Sequence, residues 1–119
     1  MNQETRIQRN IMIAISQLGH TVWRNETGSF WTGRVIHKDN RTVTLANASM
    51  IPCGLCVGSS DLIGITNDGI FFAIEVKTAK GRTSKEQEQF IEHIRSRGGI
   101  AGVARSPQDA VDLLARAKR

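Results

Sequence analysis

At 119 residues, with 39% hydrophobic and 23% charged side chains, the chain has the composition of one globular domain, large enough to bury a core and too short for two. Sixteen Lys and Arg against eleven Asp and Glu leave a net charge of +5, which favours a polyanionic partner. No apolar run approaches the ~20 residues of a membrane span, the polar start is unlike a secretory signal, and two cysteines without an export signal fit a reducing cytoplasm.

Residues 3–18 read as an amphipathic helix. Ile7, Ile11, Ile15 and Leu18 share one face, Asn2 or Thr5 offers a cap, and Gly19 ends it. Glu4 and Gln8 flank the apolar stripe at four-residue spacing, where Glu4 has the ordinary role of covering the helix dipole. His20 to Asn25 is a first strand packed back on that helix, and Arg24 and Asn25 at its exit could donate to phosphates or serve simply as polar turn residues. Phe30–Ile36 and Thr42–Leu45 are β-favouring runs around the turn-forming Lys38-Asp39-Asn40-Arg41. Residues 46–57 are expected to form a looser loop. That loop holds Cys53-Gly-Leu-Cys56, but zinc needs four ligands and the chain has no second ligand pair. No helix follows as in a thioredoxin-like site, so two small, partly buried thiols are expected.

Gly58 to Lys77 carries the chemistry. Two short apolar strands flank Asn67-Asp68-Gly69, residues that accept the positive φ of a tight turn. If all three form the loop, Thr66 opposes Ile70 and Asp61 opposes Glu75. Side chains alternate along a strand, so Lys77 then joins Asp61 and Glu75 on one face. A two-residue loop instead sends the two acids to opposite faces. Two carboxylates ~4 Å apart repel by about 4 kcal/mol at an effective dielectric near 20. A divalent cation with a preference for hard oxygen ligands, Mg²⁺ or Mn²⁺, offsets that best. From the hairpin alone, a metal site and a solvated face with an ordinary Glu–Lys pair stand side by side.

A basic turn follows, with Lys80, Arg82 and Lys85; two further basic clusters are Arg95 with Arg97, and Arg116 with Lys118-Arg119. The next helix, over about 84–97, opens on the Ser84…Gln87 capping-box pattern. It buries Phe90, Ile91 and Ile94, and directs Gln87 to the core side. Gly98-Gly99 stops it. Gly99–Ala104 is a buried strand of small residues, and Ser106-Pro107 starts a last helix with Ala110, Val111, Leu114 and Ala117 on its apolar face. The order helix, strand, hairpin, two strands, helix, strand, helix predicts an α/β fold, a mixed sheet flanked by helices. The strands ending at Lys77 and Ala104 should be parallel through a helical crossover.

An acid opening one strand, Glu-x-Lys on the next and a crossover helix together resemble the PD-(D/E)xK nuclease superfamily. Within it, Glu4, Gly58-Ser-Ser-Asp61, Glu75-Val-Lys77 and Gln87 resemble the pattern of the virus-type replication-repair nuclease (VRR-NUC) family, and Arg24-Asn25 with Gly28 is similar to its basic strand exit. One departure is Ser60, where the superfamily name expects Pro. The resemblance implies a restriction-endonuclease-like sheet with an inserted hairpin over 29–56. It also implies a Mg²⁺- or Mn²⁺-dependent endonuclease acting on branched DNA, four-way junctions or flaps, in repair, recombination or phage replication, in a stand-alone phage-type form acting inside the host cell. Asp61, Glu75 and the backbone carbonyl of Val76 would be metal ligands, and Glu4 would act through water or a second metal. Lys77 would position the attacking water, and Gln87 would orient Lys77 or that water. Arg24, Asn25, Lys80, Arg82 and Lys85 would bind DNA. The apolar residues of the insertion suggest a homodimer formed through it. The competing classes are a non-catalytic nucleic-acid-binding module on the same fold and a thiol or zinc protein built on Cys53 and Cys56.

Overall fold

The computed structural model describes residues 2–115; Ala117 and the Arg116–Arg119 basic cluster lie outside them. Helix α1 (Gln3–Gln17) is followed by strand β1 (Thr21–Arg24), a long pair β2 (Gly28–Lys38) and β3 (Val43–Cys53), and strands β4 (Leu62–Ile65) and β5 (Phe71–Val76). Helix α2 (Lys85–Ser96), strand β6 (Ile100–Ala104) and helix α3 (Pro107–Ala115) complete the chain. Outside the insertion, the expected elements occur in the expected order. No helix among the described residues is long and apolar enough to cross a membrane.

The main sheet runs β1-β4-β5-β6, antiparallel except for the parallel β5–β6 pair. Strand alternation divides its core in two. Phe72, Ile74 and Val76 of β5 face α1 and α3, meeting Ile11, Ile15, Ala110 and Leu114. Ala73 faces α2, where Ile91 is buried and Phe90, Ile94 and Ile63 pack beside it. Glu75 follows Ala73 by two residues, so the same alternation aims it at α2. Two apolar assignments change. Leu18 is the α1 C-cap, where the chain turns away from the core, and it is exposed. In α3, Leu113 rather than Val111 is among the buried residues.

The insertion differs most from expectation. Its strands are 11 residues each, so residues 46–53 are strand rather than loop. Ala46-Asn47-Ala48 read as a strand end because none is a strong β-former. A bulge instead carries the pairing through: Thr32 pairs with Ser49 and Arg34 with Ala46, so Asn47 and Ala48 share one partner, Gly33. Asn47 takes φ 54°. A Cβ at Gly33 would lie 3.0 Å from the Ala46 carbonyl oxygen, so glycine lets the strands close there. The thiols of Cys53 and Cys56 are free and exposed, not partly buried, because the β3 exit lies outside both core clusters. The pair forms its own two-stranded ribbon. Its projection shows in a radius of gyration of 16.7 Å and extents of 54 × 30 × 28 Å, where a compact chain of this length has a radius of about 13–14 Å.

Candidate active site

The β4–β5 register decides whether the acids meet. Leu62 pairs with Ile74 and Ile65 with Phe71, which is the three-residue-loop register. Thr66 N–H donates to the Ile70 carbonyl at 2.9 Å, and Gly69 closes the turn at φ 83°. One step outward from the Leu62–Ile74 pair, Asp61 stands beside Glu75. Its Oδ2 accepts the Val76 N–H at 2.8 Å, so the carboxylate is fixed across the end of β5.

Glu75 is only 2% exposed. Its Oε1 accepts from Gln87 Nε2 at 3.1 Å and lies 3.8 Å from Lys77 Nζ. Its Oε2 is buried without a hydrogen-bond partner. Burial pushes the Glu75 carboxyl up to about 8. The adjacent Asp61 adds to this, both as an acceptor for the protonated acid and as a repelling charge; Lys77 pulls the other way, and Glu4 adds further repulsion. Glu4 thus sits within electrostatic reach, on the first turn of α1, exposed to solvent. Among the described residues, no group of three or more His, Cys, Asp or Glu side chains forms a ready-made metal cluster. The nearest protein donors are the Asp61 and Glu75 carboxylates. A hard cation fits this pair, because it would satisfy the orphaned Oε2 and remove the repulsion that raises Glu75.

The surrounding shell is built from short-range rules. Ser84 Oγ accepts from Gln87 N–H while Gln87 Oε1 accepts from Ser84 N–H, the reciprocal capping box. That leaves the Gln87 amide nitrogen aimed at Glu75. Gln87 therefore orients Glu75, where the sequence suggested Lys77 or a water. Asn25 N–H donates to the Asp61 carbonyl at 2.8 Å, and its side-chain amide donates to Ser59 Oγ and the Ser60 carbonyl. Asn25 thus braces the Gly58–Asp61 loop from within. Arg24 is exposed and donates from Nε to Gln8 Oε1 at 2.8 Å. Lys80, Arg82 and Lys85 are exposed around the turn after Lys77. The sequence reading missed Arg105, whose Nη1 donates to the carbonyls of Thr78 and Gly81 at 2.6 Å each and so pins that basic turn. No local sequence signal marked it: the pairing of Ala104 with Val76, a register between distant parallel strands, is what sets Arg105, just past β6, beside the chain leaving β5.

A family model for the VRR-NUC domain matches residues 2–108. The chain belongs to the VRR-NUC family. A solved structure described as a VRR_NUC domain is similar in fold, with a TM-score of 0.61 over 97% of both chains at 20% identity. No protein of curated function matches. Membership of VRR-NUC gives the chain a nuclease-type fold, and the family is generally metal-dependent.

Proposed function

We propose that this VRR-NUC chain is a Mg²⁺- or Mn²⁺-dependent endonuclease that hydrolyses phosphodiester bonds in branched DNA, four-way junctions or flaps, within the host cytoplasm during repair, recombination or phage replication. The observation that carries the reading is the buried Glu75 carboxylate, one oxygen orphaned, facing Asp61 and flanked by Lys77. A fold-only module would have no reason to keep Glu75 buried beside the half-buried Asp61, since such an arrangement is costly without a cation.

Asp61 and Glu75 would hold the metal, with the Val76 carbonyl as a third donor and Glu4 acting through water or at a second ion. When bound, such an ion supplies Lewis-acid stabilisation of the phosphoryl charge and a more acidic water. The protein's own residues do the positioning. Gln87 holds Glu75 from behind. Lys77, 3.8 Å from Glu75 Oε1, orients the attacking water and offsets charge on the scissile phosphate, an electrostatic role. Lys80, Arg82 and Lys85 contact phosphates beside the cut, with Arg24 available at the β1 exit.

The reading includes a homodimer through the ribbon. Directly paired residues share a face, and following the pairs through both bulges places Trp31, Met50, Val35, Leu45 and Val43 on one side. Trp31, Val35, Val43 and Met50 are each more than half exposed. An apolar stripe of that length needs a cover, and a two-fold copy would give paired sites suited to a symmetric junction.

The test incubates wild type and Lys77→Ala with labelled duplex, flap and four-way-junction DNA in Mg²⁺, Mn²⁺ or EDTA. Metal-dependent cutting of branched DNA, lost in the variant, is the expected result. Tight binding without cutting in either metal would establish the non-catalytic module instead. A Cys53→Ser/Cys56→Ser variant should cut as wild type does; loss of cutting there would bring back the thiol or zinc reading.

A further inference from the structure

The ribbon has a second face, and its chemistry differs from the apolar one. The same pairings place Thr32, Ser49, Arg34, Ala46, His37 and Thr44 together on the side opposite Trp31 and Val35, with the apolar Phe30–Ile51 pair confined to the base of that face. Small, hydroxyl-bearing and basic side chains of this kind are those that contact phosphate and sugar. At the tip Arg41 adds another cation, while Lys38, paired with Val43, belongs to the apolar side. Between Glu26 and Asp61 the chain has a single acid, Asp39. Its carboxylate is turned into the tip, accepting from the Arg41 and Thr42 N–H groups and from Thr42 Oγ1. The polar face therefore presents positive charge with no acid of its own aimed outward.

Its position matters as much as its charge. The ribbon leaves the main sheet at the active-site edge: Asn25 N–H bonds to the Asp61 carbonyl, and the ribbon pairing begins three residues later with Gly28 and Cys53. Eleven residues per strand at about 3.3 Å each reach ~36 Å, close to one turn of B-DNA at about 34–36 Å. A duplex arm held at Glu75 and Lys77 would run along an arm of matching length.

We propose that the polar face of the ribbon, through Arg34 and His37 and with Arg41 at the tip, is a DNA-binding arm that grips duplex phosphates about one helical turn from the cleaved bond. The inference rests on the nuclease reading only for where the DNA enters. The apolar face serves the partner copy, so the two faces have separate jobs.

The test measures equilibrium binding in EDTA, where no cutting occurs, to four-way junctions with arms of ~6 or ~20 base pairs, a choice set by the one-turn reach. Wild type is compared with Arg34→Ala/Arg41→Ala across a salt series. Wild type should prefer the long arms by on the order of tenfold. The double variant should lose that preference, and its log K against log salt slope on long arms should fall by about 2, one per phosphate contact removed. Its dimer mass and its cutting of short-arm junctions in Mg²⁺ should be unchanged. An unaltered slope and arm-length preference would overturn the proposal, as would equal weakening on both arm lengths. Failure of the nuclease reading looks different: no cutting in any metal, with the arm-length and salt effects intact.

Discussion

A buried carboxylate held near 8 in the folded chain, against an ordinary value of 4.5, ties the stability of the protein to pH. Between those values the folded state keeps a proton on Glu75 that the unfolded state has released. The contribution is therefore greatest at low pH and is lost as pH rises through about 8. Without divalent metal, the melting temperature of wild type should fall relative to Glu75→Gln between pH 5 and 8, and Mg²⁺ should reverse the fall; parallel melting curves would contradict the assignment. Gln87 supplies a sharper residue-scale test, because its two ends do different work. Gln87→Ala removes both the cap and the donor to Glu75, and should cost about 1–2 kcal/mol in urea denaturation along with activity. Gln87→Glu keeps an acceptor for Ser84 N–H but replaces the donor with another acid, so it should preserve most of the stability and still depress cleavage. Equal cleavage by Gln87→Glu and wild type would show that the Nε2–Glu75 bond is incidental. The capping half of this arrangement was legible in Ser84…Gln87. The bond to Glu75 was not, because it depends on how the α2 first turn is seated above β5.

At the scale of elements, the site depends on one loop being laid against one helix. Gly58 has φ 84°, and a Cβ there would lie 2.6 Å from the Glu86 backbone. The Gly58–Asp61 loop thus rests directly on the first turn of α2, with Asn25 bracing its other side. Gly58→Ala should cost about 1–3 kcal/mol through backbone strain and reduce cleavage by shifting Asp61, as read by denaturation and single-turnover rates together. A variant of wild-type stability and rate would mean that the loop tolerates displacement. Asn67-Asp68-Gly69 reduced the register to two choices, because turn length and strand alternation are local rules, and the pairing of Ile65 with Phe71 selects the one that joins Asp61 to Glu75. The ribbon length could not, since the bulge at Asn47 and Gly33 hides the continuation of β3 behind residues that are poor strand formers. Arg105 escaped notice for a related reason: its contacts come from the parallel pairing of distant strands.

For the whole molecule, the chemistry is proposed to lie on the compact sheet and the associations on the ribbon. Trp31→Ser/Met50→Ser on the apolar face should convert a dimer into a monomer by gel filtration with light scattering, leaving the fold of the main sheet intact; a wild type that is monomeric at all concentrations would remove the dimer from the account. The order of elements and most of the helical core positions followed from periodicity, while the ribbon's projection did not, because sequence patterns identify apolar positions without saying what covers them. The central claim concerns the Asp61–Glu75 pair, and its most direct measurement is the single-turnover cleavage rate of Glu75→Gln on a saturating four-way junction in Mg²⁺. Loss of the carboxylate charge, with side-chain volume kept, should lower the rate by at least about 10²-fold while DNA affinity in EDTA stays within a few-fold of wild type. A variant that binds and cuts like wild type would contradict the account.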